Sequence, residues 1–235
     1  MRSLLTFISL VSLCFGAPAK RQTPSPKKPS ESLGFMLIAK VDASKDMNPS
    51  IHNWVFSTIH VGAAQNVAVL TAPSTKSPGR VFYENGTAEQ VASGETTIIT
   101  DGASPPAPFG VTIQGPRQFD QTYPKEHSIY VNAGPGSFAS IGGSAAWYPT
   151  LRNWQDEGAG TFAACNNMVP YYGDTNRFIT VQYVYGGEEV PTDCVPVTLV
   201  AQCADLDELP ADAWASHQFA VEVRCYQEVS KMEIS

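Results

Sequence analysis

The cysteines constrain this chain most. Of five in 235 residues, Cys14 falls in an N-terminal apolar run, and Cys165, Cys194, Cys203 and Cys225 crowd into the last third. Between the first two of these lies the cleanest alternating segment in the sequence, Phe178 to Tyr185 (FITVQYVY), with the period of two expected of a strand. Four cysteines make an even number, and in an oxidising compartment two disulfides are the expected arrangement, with three connectivities open. The spacings of 29, 9 and 22 contain no Cys-x-x-Cys knuckle, which argues against a four-cysteine zinc site. The last third therefore reads as strands stapled by two disulfides, onto which the cysteine-free remainder must fold.

The N-terminus sets the compartment. Arg2, an apolar run from Leu4 to Phe15 and the small residue Gly16 make a secretory signal peptide over residues 1–17. That run is shorter than the roughly 20 residues a membrane-spanning helix needs. Lys20-Arg21 is a candidate dibasic processing site. The segment 18–32, with Pro24, Pro26, Lys27, Lys28 and Pro29, reads as an extended linker with little to bury. A single β-rich domain is expected over residues 33–228, with a tail over 229–235. Losing residues 1–21 removes three basic residues (Arg2, Lys20, Arg21) and no acidic ones, which moves the formal charge from -7 to -10. Nucleic acid and anionic membrane, which need a basic face, are poor partners for such a product.

Short runs rich in β-branched and aromatic residues follow one another: Phe35–Val41, Val55–Val61, Val67–Thr71, Thr96–Thr100, Ser128–Asn132. Residues 103–116 hold four prolines and read as irregular apart from a strand at Val111–Ile113. Asn85-Gly86 predicts a type I′ hairpin between Val81–Tyr83 and Thr87–Val91. Asn85-Gly86-Thr87 is also the one usable N-glycosylation sequon, so Asn85 is the expected glycan acceptor. Trp214, Phe219 and Val223 sketch a stripe that predicts a helix within Leu206–Tyr226. The expected class is all-β, a sandwich or barrel of jelly-roll type, with one short C-terminal helix.

Motifs for chemistry fail on context. Ser140 and Ser144 lie in glycine-containing loops, but neither has the Gly-x-Ser-x-Gly elbow with a helix behind it. Four histidines (His52, His60, His127, His217) show no metal-ligand spacing. Asp205, Asp207, Glu208 and Asp212 suit a helix N-terminus better than a calcium loop. Gly158-x-Gly160 precedes a strand instead of following one, so it is no dinucleotide fingerprint. The doublets Asp156-Glu157 and Glu188-Glu189 are the visible carboxylate pairs for a glycosidase, yet both sit beside glycines and read as solvated turns. No catalytic residue, metal ligand or cofactor is assigned. Trp147, Tyr148, Trp154, Tyr171 and Tyr172 form the candidate binding surface, as aromatics able to stack on a sugar.

The order Gly160-Thr-Phe-Ala-Ala-Cys165, Tyr171-Tyr172-Gly173, Val181-Gln-Tyr-Val184 and Val190-Pro-Thr-Asp-Cys194-Val-Pro-Val-Thr-Leu199 resembles an uncharacterised family of small secreted proteins of filamentous ascomycete fungi. Ser216-His217-x-Phe219-Ala220-x-Glu222-Val223 fits it too, and there is a looser similarity to phialide-type cell-wall proteins. The clear resemblance covers Thr161 to Tyr226. It implies an extracellular or cell-wall, β-rich protein and carries no catalytic residues across. In that setting, bonding Cys165 to Cys194 would tie together the two strands expected on either side of Phe178–Tyr185. A Cys203–Cys225 bond would fasten the expected helix to the sheet. The expected protein is secreted and non-catalytic, with glycan, cell wall or a host protein as partner. A polysaccharide hydrolase using a carboxylate pair and a lectin-like module are the alternatives.

Overall fold

The computed structural model describes residues 28–74, 79–116, 127–143, 148–156 and 159–232. The expected leader, the Lys20-Arg21 pair, Ser144, Trp147 and Glu157 lie outside the described residues. The chain opens with β1 (Ser30–Ser32), β2 (Gly34–Lys40), β3 (Val55–Gly62) and β4 (Gln65–Thr71). Then come β5 (Phe82–Asn85), helix α1 (Ala88–Ser93), β6 (Thr97–Gly102), β7 (Ala107–Ile113) and β8 (His127–Ala133). Two short strands, β9 (Ala139–Gly142) and β10 (Thr150–Asn153), precede β11 (Thr161–Met168) and β12 (Arg177–Val184). The long β13 (Cys194–Ala204) and the short β14 (Ala220–Val221) and β15 (Val223–Cys225) complete the set.

The molecule is all-β, as its turn-punctuated strands predict. Its antiparallel sheet folds back on itself. One hydrogen-bonded ring runs β2–β3–β4–β8–β7–β6–β5 and closes on β2 through Gly34↔Tyr83 and Phe35↔Phe82. A second shares β2, β3 and β4 and continues through β12, β11 and β13. Closure removes free edges from the strands that carry the core. Alternation sorts the side chains: Phe35, Leu37 and Ala39 of β2 enter the main core with Phe56, Phe82, Ile98, Val111, Ile129, Val181 and Leu199. Ile38 faces the other way, against Val55, Val200, Tyr226 and Val229. The C-terminal segment covers that second face, with Val229 wholly buried in the short 3-10 turn Val229–Lys231. Lys40 points there as well. Its Nζ donates to Met232 O at 2.9 Å and lies 3.3 Å from His52 Nε2, and burial holds its pKa below the usual lysine range.

Four local expectations are corrected. No helix forms within Leu206–Tyr226. The segment runs as an irregular strap into β14, because its backbone finds partners elsewhere: Trp214 N and Ala215 N donate to Pro106 O at 2.7 and 3.0 Å, and Gly86 N donates to Phe219 O at 3.0 Å. A short helix has little stability without tertiary packing, and its supposed inward residue Trp214 is 75% exposed. Asn85-Gly86 is no hairpin turn either. Thr87 N-caps α1, its Oγ1 accepting from Gln90 N while Gln90 Oε1 accepts from Thr87 N, a reciprocal capping box. The irregular 103–116 segment contributes the full strand β7. Finally, β12 is not flanked by β11 and β13; β11 lies between them, pairing with β12 from Thr161↔Val184 to Met168↔Arg177 and with β13 from Phe162↔Val197 to Cys165↔Cys194.

Candidate functional site

Cys165 is bonded to Cys194, its direct cross-strand neighbour, and Cys203 to Cys225, with Cα–Cα distances of 4.2 and 5.1 Å. The second bond fastens β13 to β15 and closes the base of the strap; it does not anchor a helix. Each disulfide encloses a loop that presents exposed aromatic side chains.

The first loop contains the β11–β12 connection. There Pro170–Tyr172 forms a 3-10 turn that ends at Gly173, whose φ of 83° suits glycine. Three ring contacts run across the surface: His60 to Tyr171 at 5.5 Å, Tyr171 to Tyr172 at 5.3 Å and Tyr172 to Phe178 at 5.0 Å. Phe178 and Tyr172 pack in one cluster with Val67 and Val69 of β4 and with Val169, just before the 3-10 turn. Tyr171, in the middle of these contacts, is still 58% exposed. Asn176 Nδ2 donates to Tyr172 O at 2.6 Å and pins the turn. This is a rigid aromatic platform on a loop, the usual place for a binding surface.

The other aromatics expected at that surface go elsewhere. Trp154 lies against Gly94, the left-handed C-cap of α1, and its indole Nε1 donates to Ser140 Oγ at 2.7 Å. That bond also accounts for Ser140, which is buried in β9 and not raised on an elbow. Tyr148 packs near Tyr226, 6.2 Å between ring centroids, on the C-terminal segment. Of the candidates among the described residues, Tyr171 and Tyr172 alone come together, joined by His60 and Phe178. In the sequence His60 is one of four histidines without metal-ligand spacing. Its place at the outer end of β3 becomes visible only once β3, β4 and β12 are adjacent.

The carboxylates occupy structural positions. Asp156 Oδ2 accepts from the Tyr183 hydroxyl at 3.1 Å and from Gly186 N at 3.0 Å. Glu188 Oε2 accepts from Tyr185 N at 3.0 Å, and its Oε1 lies 3.2 Å from Nε2 of the buried His127. Burial and the nearby Asp156 raise the Tyr183 hydroxyl far above its ordinary pKa. Tyr185 is also raised by burial, with Asp156 and Glu188 adding to it. Both tyrosines therefore stay protonated, as hydrogen-bond donors. Gly160, from the dinucleotide-like stretch, is needed for packing: a Cβ there would collide with Val184 O and Asp156 Oδ2. Beside it a cleft of about 300 Å³ opens between β10, β11 and β13, lined by Arg152, Asn153, Thr161, Tyr183 and Thr198 among others.

The one buried carboxylate among the described residues is Glu84, on β5. Its Oε1 accepts from Thr96 Oγ1 and its Oε2 from Ile141 N, each at 2.8 Å, while burial raises its pKa above the usual glutamate range. It borders a cavity of about 200 Å³ with Arg224 and Glu222. Next to it, Asn85 is half-buried and paired on both sides, to Thr97 of β6 and Ala220 of β14. Among the described residues, no three His, Cys, Asp or Glu side chains are grouped so as to hold a metal ion. Asp205, Asp207, Glu208 and Asp212 lie dispersed and exposed along the strap.

Comparison with known proteins places this architecture. The model of a family described as a domain of unknown function, DUF7907, matches residues 32–203. That match starts far upstream of the Thr161–Tyr226 block that carries the resemblance in the sequence, and it takes in the strands of both hydrogen-bonded rings. The chain is 40% identical over 230 residues to antigenic protein SchS34 of Stachybotrys chartarum, covering 94% of this chain and 98% of the relative. No solved structure matches. The chain is a member of the DUF7907 family, an uncharacterised family with a fungal representative.

Proposed function

We propose that this protein is secreted and acts outside the cell by binding, not turnover, with the Tyr171–Tyr172 platform as its contact surface and glycan as the ligand class. The observation that carries the reading is the ladder His60–Tyr171–Tyr172–Phe178, which holds one ring exposed over a packed base. Sugar rings present C–H faces that stack on such aromatics, and a fixed turn lowers the ordering cost of binding. Two disulfides suit an oxidising, extracellular compartment, and a relative named as antigenic fits a product met outside the cell. The signal peptide over 1–17 and N-glycosylation at Asn85 belong to this reading, as does residence at the cell wall.

The test is retention on insoluble fungal and plant polysaccharides, run beside a reducing-sugar release assay. Binding without sugar release, lost in Tyr171→Ala and kept in Trp154→Phe, is the expected result. Sugar release that disappears in Asp156→Asn or Glu188→Gln would replace this reading with the hydrolase.

A further inference from the structure

The strap from Asp205 to Glu222 holds five acidic residues (Asp205, Asp207, Glu208, Asp212, Glu222) and no lysine or arginine. Asp205, Asp207, Glu208 and Asp212 are exposed, and none of them forms an ion pair among the described residues. Two residues beyond Asp212, Trp214 is 75% exposed, and Phe219 further along is 47% exposed. Trp214 is the most exposed large apolar side chain among the described residues. It is not loose. Its own N and that of Ala215 both donate to Pro106 O, and the buried Ala215 fixes the backbone on its far side. Beyond it His217 Nε2 lies 2.8 Å from Asp101 Oδ2, and the His217 ring meets Tyr83 edge-on at 4.8 Å. Arg80 Nη1 donates to Asp101 O at 3.4 Å.

A tryptophan fixed through its backbone and exposed to water, on a strap whose exposed carboxylates form no ion pair among the described residues, has the make-up of an interface centre and not of a core. Aromatic anchors dominate binding energy, and an indole face attracts lysine or arginine within about 6 Å. Acidic neighbours add long-range attraction for the same charges and repel acidic surfaces. We infer that the Trp214 strap is a docking site for a lysine- or arginine-rich polypeptide segment of a partner protein. This goes beyond the glycan surface and uses a different face of the molecule.

The test is calorimetric titration of the full chain with a Lys/Arg-rich dodecapeptide, with an acidic dodecapeptide as control, at two salt concentrations. The basic peptide is expected to bind, more weakly at higher salt. Trp214→Ala, whose side chain contributes little to folding, is expected to lose about tenfold in affinity. Asp207→Asn with Glu208→Gln is expected to lose less but to flatten the salt dependence. Tyr171→Ala is expected to bind unchanged. Equal affinity in wild type and Trp214→Ala, or no preference for the basic peptide, would overturn the inference. Tighter peptide binding in Lys27→Glu with Lys28→Glu would overturn it too, since the chain's own basic linker would then be the occupant.

Discussion

The two disulfide-closed loops are of similar size, separations of 29 and 22 residues, and they are built on opposite principles. The Cys165–Cys194 loop is filled with regular structure: β11 and β12 pair over eight consecutive registers and carry the aromatic turn between them. The Cys203–Cys225 loop has no strand between Ala204 and Ala220 and is held by a few backbone bonds to Pro106 and Gly86 and by the His217–Asp101 contact. In the first loop the ladder would hold the backbone without the disulfide. In the second, the disulfide and a handful of contacts do most of the holding. Aromatic exposure follows the same division, since Tyr172 is half packed into a cluster while Trp214 packs against almost nothing.

The largest expected effect separates the two bonds. By chain entropy either loop closure is worth about 3–4 kcal/mol, so Cys165→Ala with Cys194→Ala and Cys203→Ala with Cys225→Ala should lower stability in urea by similar amounts. Limited proteolysis should tell them apart. Without Cys203–Cys225 the first cuts are expected between residues 205 and 219, and without Cys165–Cys194 the β11–β12 hairpin should stay protected. Early cleavage within Thr161–Val184 would break the contrast. Next in size, Tyr172→Ala should cost about 1–2 kcal/mol through lost packing on Phe178, while Trp214→Ala should change stability by under about 0.5 kcal/mol. Equal costs in thermal melts would mean that the strap is packed like the hairpin.

The extent to which these regions are legible in the sequence follows the same physics. β12 shows in its alternation because Val181 and Tyr183 enter the core while Thr180 and Gln182 face away, a pattern set locally and kept by the fold. The strap misleads because Trp214, Phe219 and Val223 imitate a stripe, while its real partners, Pro106 O and Gly86 N, lie over 100 residues away. At Asn85-Gly86 two local signals compete. The Thr87–Gln90 capping box prevails because β14 and β6 take both edges of β5 at Asn85. The Tyr171–Tyr172 half of the platform is visible in the sequence, but its His60 half is not, because only strand order brings β3 beside the β11–β12 turn. The inside position of β11 was equally out of reach, since sheet order is set by tertiary pairing.

A smaller effect concerns pH at the strap's far end, where Val221 pairs with Glu84. Burial raises the folded-state pKa of Glu84 above its unfolded value. The protonated form is thus favoured by folding. The stability it contributes is fully present below the unfolded glutamate pKa and is lost as pH rises through the folded pKa. Glu84→Gln should flatten that part of the stability–pH curve, measured by urea unfolding from acid to neutral pH. An unchanged slope would show that Glu84 is solvated and that β14 sits looser than described.

On this reading the two loops present separate binding faces, an aromatic platform and an acidic strap. Glycan retention and basic-peptide titration on wild type, Tyr171→Ala and Trp214→Ala test it directly. Tyr171→Ala is expected to lose glycan and keep the peptide, and Trp214→Ala to lose the peptide and keep glycan. One substitution abolishing both, or neither substitution affecting either, would contradict it.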